Sequence, residues 1–182
     1  MPTFYTRGGD EGFTGLLGDS RVAKYELRIE ALGDLDEANA AIGLARAQAH
    51  SPETRAALLK IQRGLYNVMA EVASTPENAE KFRITTTKHV AAVEGMIERV
   101  TQDVTIPQEF ILPGDSVAGA ALDLARTVVR RAERRVTELI HEGHSNNSEI
   151  IGYLNRVSSL LFVLELEENR YAGQENPTLA KE

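Results

Sequence analysis

The chain has 182 residues, a net charge of −7 and no cysteine. The missing cysteines remove thiolate nucleophiles, iron–sulfur clusters, cysteine-based zinc sites and disulfide frameworks together, and they suit a reducing cytosol. The acidic balance argues against general nucleic-acid binding, no apolar run approaches the ~18 residues of a membrane span, and the start Met1-Pro2-Thr3-Phe4-Tyr5-Thr6-Arg7 lacks the apolar segment of a secretory signal.

Six of the 14 glycines lie between Gly8 and Gly33, so the chain opens on a glycine-rich loop. Ala, Leu, Glu and Arg dominate after about Arg28, and strand signals are almost absent. The first helix is expected over roughly Arg28–Ala49. The second starts at Ser51-Pro52-Glu53, a cap followed by proline at the first helical position, and ends near Ser74-Thr75-Pro76. The third covers roughly Thr86–Thr101, before a connection holding Pro107 and Pro113. The fourth covers about Ser116–Glu142 and stops at Gly143. The fifth covers about Glu149–Tyr171 and stops at Gly173. Residues 174–182 read as a flexible polar tail. The expected fold is all-α: one domain over 1–182, a five-helix antiparallel bundle with a glycine-rich N-terminal loop.

The fifth helix carries two stripes at 100° per residue. Ile150, Leu154, Val157, Leu161 and Leu164 form one; Ile151, Asn155, Ser158, Phe162 and Leu166 form the other. Arg156, Ser159, Glu167 and Arg170 are left for the polar face. One stripe faces the bundle core. The second needs another partner, either a neighbouring subunit or ligand, or a second helix of the same chain.

On the fourth helix, Val117, Ala121, Leu124, Val128, Ala132 and Leu139 make the expected core stripe. Opposite lie Asp123, Arg126, Arg130, Glu133 and Arg134. Five of the 15 arginines fall between Arg126 and Arg135. Arginines stacked four apart repel unless an anion lies among them. Acidic side chains can serve, as on a solvated face laced with ion pairs. A phosphate chain serves too, because the guanidinium fork matches phosphate geometry.

Two further features have alternative readings. In Thr6-Arg7-Gly8-Gly9-Asp10-Glu11-Gly12-Phe13-Thr14-Gly15, glycines let backbone amides surround an anion and threonine hydroxyls add donors; the same composition suits a mobile arm. Asp34 and Asp36 on the first helix either await a cation from the arginine-rich helix or are exposed acids near a helix N-terminus. Glu138-x-x-His141 has the spacing of di-iron bundles but no second copy. His50 and His89 show no partner pattern and read as surface residues.

An ordered set of motifs resembles the PduO-type ATP:cob(I)alamin adenosyltransferases. They are Thr6–Thr14, Arg21-Val22-Ala23-Lys24, Gly33-Asp34-Leu35-Asp36-Glu37-Ala38-Asn39, Phe110-Ile111-Leu112-Pro113-Gly114, Ala125–Arg134 and Tyr153-Leu154-Asn155-Arg156. The likeness spans Tyr5 to about Asn169. It implies a homotrimer of five-helix bundles with active sites between subunits, and the expected setting is cytoplasmic. It also implies transfer of the 5′-deoxyadenosyl group of ATP, with Mg2+, to the cobalt of cob(I)alamin. A reductase and a cobalamin-dependent acceptor enzyme are the further partners implied.

By the same resemblance, residues 1–27 form an ATP-binding arm, in which Thr6, Arg7, Gly8, Gly9 and Thr14 close over the triphosphate and Lys24 contacts phosphate. Arg130, Arg131, Glu133 and Arg134 match the ATP segment, and Asn155 matches a nucleotide contact. Asp36 and Arg126 match a pair that bridges subunits. Phe110 matches an aromatic that blocks the lower face of the corrin, with Phe162 also at the cobalamin site. The chain departs from the family pattern at Glu11, often lysine; Ala38, often leucine; Asp115, usually glycine; and Asp123, often histidine. A non-catalytic ATP- or cobalamin-binding helical oligomer, a sensor or delivery protein, is the alternative. A structural oligomer with ion-paired arginines is a third.

Overall fold

Helix formation follows the caps written in the sequence. The computed structural model describes residue 5 and residues 7–181. Its helices are α1 (Leu27–Gln48), α2 (Pro52–Ala73), the single turn α3 (Ala79–Phe82), α4 (Thr87–Val100), α5 (Val117–His141) and α6 (Glu149–Tyr171). Ser51 Oγ accepts from the Thr54 amide at 3.2 Å, with Pro52 next in line. Ser116 Oγ accepts from the Gly119 amide at 2.9 Å and starts α5. Gly143 and Gly173 take positive φ angles of 78° and 85° and stop α5 and α6.

Two elements depart from expectation. Phe13–Gly15 (β1) and Arg21–Ala23 (β2) pair antiparallel, with Thr14 opposite Val22. A 3₁₀ turn, Pro76–Asn78, leads into α3, so the helices number six among the described residues rather than five. Three-residue strands are too short to show a period-two pattern. This ribbon is held from outside: the Leu17 amide donates to Ala73 O at 2.9 Å, and the Thr75 amide to Leu17 O at 3.4 Å.

Cross-helix bonds fix the directions. Arg28, at the start of α1, reaches Val72 O and Ser74 O at the end of α2 and His144 O before α6. At the opposite end, Glu168 accepts from the amides of His50 and Ser51 at 2.7 and 3.0 Å. Ser116 meets Asn169, Glu133 meets Asn155, and Glu94 meets Arg156. So α1, α4 and α6 run one way, and α2 and α5 the other.

The core is built from Leu35, Ile42, Leu58, Leu65, Leu122, Leu154 and Leu161 among others, all fully buried. Each such side chain contributes roughly 1.5–3 kcal/mol relative to exposure. α6 is buried around most of its circumference, with α5 on one side and α4 on another. Of its second stripe, Ser158 and Leu166 are buried, whereas Ile151, Asn155 and Phe162 are only half-buried. Glu167, expected on the polar face, is buried and accepts from Thr54 Oγ1 at 3.1 Å.

The buried sector of α5 is wider than the expected stripe and is shifted at the helix start. Four residues of that stripe, Ala121, Val128, Ala132 and Leu139, are buried as expected; Val117 and Leu124 are exposed, and the sector widens to take in Ala118, Leu122, Ala125, Val129 and Val136. The helix lies between α1 and α6, so its apolar sector is wide. The alanines let both neighbours approach closely. The tail expected to be flexible instead docks: Leu179 bridges Ile111, and the Ala180 amide donates to Phe110 O at 2.8 Å.

Candidate functional site

The five α5 arginines divide by direction. Arg131 and Arg135 turn toward α1, where Asp34 accepts from Arg131 Nε at 3.2 Å and lies 3.9 Å from Arg135 Nε. Arg131 also bonds Glu37, and that bond holds its guanidinium pKa above the ordinary value. Arg126 Nε donates to Asp123 at 2.7 Å. Arg130 and Arg134 have no carboxylate partner among the described residues; Arg134 Nη1 donates to the Arg130 carbonyl at 3.0 Å. Two guanidinium groups four residues apart therefore share a surface without a counter-charge on either.

Those two arginines, with Glu133, Thr137 and Asn155, line a polar cavity of about 260 Å³ between α5 and α6. Asn155 Nδ2 donates to Glu133 Oε1 at 3.0 Å, and Asn155 Oδ1 accepts from Arg156 Nη1 at 2.7 Å. Arg156 in turn donates to Glu94 on α4 at 2.8 Å. The antiparallel pairing of α5 and α6 is what sets Glu133 opposite Asn155.

A second, mostly apolar cavity of about 650 Å³ is walled by Ile97, Ile106, Phe110, Arg126, Arg130 and Phe162, among others. Arg130 belongs to both cavities. Phe110 is 88% exposed, too open for a core residue. Its loop is held by the tail, since the Leu112 amide donates to Thr178 O at 2.8 Å. The sequence reading missed the wall contributed by Ile97, Thr101, Ile106 and Gln108. These residues lie at the end of α4 and in a proline-flanked connection with no periodic signal.

Another group absent from the sequence reading lies on α6, near the charges of Asp123 and Arg126. Glu165 is fully buried, and neither carboxylate oxygen has a hydrogen-bond partner among the described residues. Burial pushes its pKa up to about 7, and the nearby charges of Asp123 and Asp115 add to the rise while Arg126 opposes it. Had the α6 stripes been continued to their buried end, Glu165 would have stood out as a lone acid between Leu164 and Leu166.

The N-terminal arm lies elsewhere. Thr6 falls outside the described residues. The Asp10 amide donates to Arg7 O and the Gly12 amide to Gly9 O, each at 3.2 Å, and Lys24 N bonds Gly12 O at 2.9 Å. A Cβ on Gly9 would come within 2.9 Å of Lys24 Nζ, so the missing side chain is what lets the lysine cross the turn. Arg21 donates to Gly8 O and Phe13 O. Arg7, Gly8, Asp10, Glu11, Phe13 and Arg21 line a cavity of about 540 Å³, and Thr14 is half-buried on β1.

Within one chain this arm cavity shares no lining residue with either α5 cavity. Asp36 is exposed on α1, and Arg126 is held by Asp123 of its own chain, so the structure does not bring Asp36 and Arg126 together. Among the described residues no group of three or more His, Asp or Glu side chains could hold a metal ion. Both histidines read as unpartnered have roles: the Thr86 amide donates to His89 Nδ1 at 3.2 Å at the α4 cap, and His50 lies 3.4 Å from Glu168.

The family model for Cobalamin adenosyltransferase matches residues 4–168. The chain is 42% identical over 173 residues to the corrinoid adenosyltransferase PduO of Citrobacter freundii, covering 94% of this chain and 51% of that protein. The chain thus spans about half the length of that relative. It is also 42% identical over 177 residues to a corrinoid adenosyltransferase of Mycobacterium tuberculosis, covering 93% of this chain and 90% of that protein. Among solved structures it is similar to a phenylalanine-to-alanine variant of a PduO-type ATP:corrinoid adenosyltransferase from Lactobacillus reuteri complexed with cobalamin and ATP. There the TM-score is 0.85 at 28% identity, covering 99% of this chain and 100% of the other. The matched span takes in α1, α2, α4, α5 and nearly all of α6, together with every α5 residue at the two cavities, and on that evidence the chain belongs to the cobalamin adenosyltransferase family.

Proposed function

We propose that this protein transfers the 5′-deoxyadenosyl group of ATP to the cobalt of cob(I)alamin, giving adenosylcobalamin and inorganic triphosphate. The observation that carries the reading is the place of Arg130, which walls the apolar cavity beside Phe110 and Phe162 and the polar cavity beside Glu133, Arg134 and Asn155. A flat apolar macrocycle in the first and a polyphosphate in the second would meet at that side chain. The names of the relatives, and the Lactobacillus reuteri complex with cobalamin and ATP, support the same assignment.

The bond between cobalt and C5′ forms with the cobalt's electron pair. The C5′–O bond breaks, and its pair leaves on triphosphate. The nucleophile belongs to the substrate, so the chain needs no nucleophile or strong base of its own. Its residues align the two reactants and stabilise charge on the leaving group. Arg130 and Arg134, free of carboxylates, are the groups available for that charge. Asn155 is held at both ends of its amide and contacts the nucleotide. Arg131 reaches phosphate only by giving up Asp34 and Glu37. Phe110, with Phe162 behind it, covers the lower face of the corrin; excluding a lower axial ligand makes cob(II)alamin easier to reduce.

Mg2+ accompanies the ATP. Such an ion would need only one or two protein carboxylates beside the phosphates, so the lack of a three-residue cluster among the described residues is compatible with it. Glu133 is the carboxylate that would hold it there, and the ion supplies charge neutralisation on the phosphate chain.

The assembling unit is the bundle of the five long helices α1, α2, α4, α5 and α6, and the protein works as a homotrimer with sites between subunits. The separation of the arm from the α5 cavities supports this. Thr6, Arg7, Gly8, Gly9, Thr14 and Lys24 of one copy close over the triphosphate gripped by α5 of the next, and Asp36 of one copy meets Arg126 of its neighbour. The setting is the cytoplasm, where a reductase supplies cob(I)alamin and a cobalamin-dependent enzyme takes the product. No helix among the described residues is long and apolar enough to cross a membrane.

The test is incubation with ATP, Mg2+ and pre-reduced cobalamin. A Co–C product spectrum with one triphosphate released per adenosylcobalamin is expected. ATP binding without product under full reduction would replace this reading with that of a binding module.

A further inference from the structure

The C-terminal segment crosses the loop that carries Phe110. Leu112 N donates to Thr178 O at 2.8 Å, Ala180 N donates to Phe110 O at 2.8 Å, and Ile111 stands opposite Leu179 in an antiparallel bridge. Asp115 closes the far end of the loop. Its carboxylate accepts from the Thr178 amide at 2.9 Å and from the Thr178 hydroxyl at 2.6 Å. Hydrogen bonds to an ionised acceptor are the strong kind. The turn that sends the tail back is fixed as well: Gly173 takes a φ of 85°, and Gln174 N donates to Asn169 O at 2.9 Å.

The loop has few other means of holding its place. Gly114, at φ 131°, has no atom within 4 Å of where a Cβ would sit. The Phe110 ring is almost wholly exposed, so packing within the chain does not hold it. Its position over the cavity is inherited from its backbone, and the backbone is tied to the tail. Asp115 also stands where the family pattern usually has glycine, and Thr178 is the residue that answers it.

We propose that residues 174–181 are a strap that positions the Phe110 loop over the apolar cavity, with Asp115 and Thr178 as its positioning residues. The proposal rests on the reading of that cavity as the cobalamin site. It makes the tail a determinant of how completely the lower corrin face is closed, and leaves triphosphate handling to α5.

Four variants test it: a chain ending at Gly173, Asp115→Gly, Thr178→Val and Thr178→Ser. The readouts are hydrogen exchange at the Leu112 amide, the KM values for cob(II)alamin and for ATP, and the electron paramagnetic resonance signal of four-coordinate cob(II)alamin formed with ATP. The truncated, Asp115→Gly and Thr178→Val proteins should exchange Leu112 faster, lose much of the four-coordinate signal and raise KM for cob(II)alamin roughly tenfold, with KM for ATP changed less than about twofold. Thr178→Ser, which keeps the hydroxyl, should match the parent. An unchanged four-coordinate signal in the truncated and Asp115→Gly proteins overturns the proposal, whether or not Leu112 exchange rises. A parent protein that forms no product from pre-reduced cob(I)alamin overturns the reading of the cavity instead.

Discussion

Asn155 donates to Glu133 at 3.0 Å across the α5–α6 seam, while its other amide atom accepts from Arg156 at 2.7 Å. Both ends of one short side chain are thereby held, and the floor of the polar cavity is set before any ligand arrives. Arg130 and Arg134, on the same cavity, have no carboxylate at ion-pair distance among the described residues.

Arg130→Ala should remove one charge-assisted contact to the triphosphate. Such contacts are worth roughly 1.5–3 kcal/mol, so kcat/KM for ATP should fall about ten- to a hundredfold, with unfolding stability little changed. Steady-state kinetics beside a urea titration check both halves. Unaltered ATP kinetics would remove Arg130 from the phosphate site.

Phe110→Ala should slow turnover from cob(II)alamin more than from pre-reduced cob(I)alamin. The ring's proposed work is done before cobalt reaches the nucleophilic state. Its high exposure also means that truncation leaves no core cavity, so fold stability should hold. Equal losses with both substrates would show that the ring acts on the transfer step.

Asp34 and Asp36, two residues apart on α1, should separate cleanly. Asp34 pairs with Arg131 and Arg135 within the chain, and both arginines are partly exposed. Asp34→Asn should cost about 0.2–1 kcal/mol of stability and leave cobalamin kinetics alone. Asp36→Asn should leave the monomer's stability alone, weaken the trimer and raise KM for cobalamin. Light scattering and kinetics on the two variants decide; identical behaviour would mean that Asp36 has no partner across a subunit boundary.

Glu165 should make stability depend on pH. Its folded pKa is raised to about 7. Between the ordinary carboxylate range and 7 the native state therefore holds a proton that the unfolded chain has lost, so stability falls as pH rises through that window. The full effect is roughly 3 kcal/mol by linkage. Denaturant unfolding near pH 5 and pH 8 should show this loss in the parent and little of it in Glu165→Gln. A parent without the loss would mean that the carboxylate is ionised or hydrated in the native state.

Much of this architecture was legible in the sequence, because caps and stops act locally. Ser51-Pro52, Ser116, Gly143 and Gly173 mark helix ends that the structure reproduces to within a residue or two. Three things were hidden for physical reasons. The β1–β2 ribbon is held by α2, and no local pattern announces a tertiary contact. The buried sector of α5 depends on being flanked by both α1 and α6, which widens it beyond the expected stripe while leaving Val117 and Leu124 exposed. The docking of the tail depends on a pairing between Asp115 and Thr178, 63 residues apart. At the site, the arginine run was visible as a run. That Arg131 and Arg135 would turn to Asp34, leaving Arg130 and Arg134 free, required the helix packing.

The most direct measurement is a crystal structure of the protein with ATP, Mg2+ and cobalamin. A polyphosphate should lie against Arg130 and Arg134 of one protomer, covered by the Arg7–Thr14 arm of another, with the corrin beside Phe110 and Phe162. Finding those arginines in open solvent, with nucleotide and corrin bound elsewhere, would contradict it.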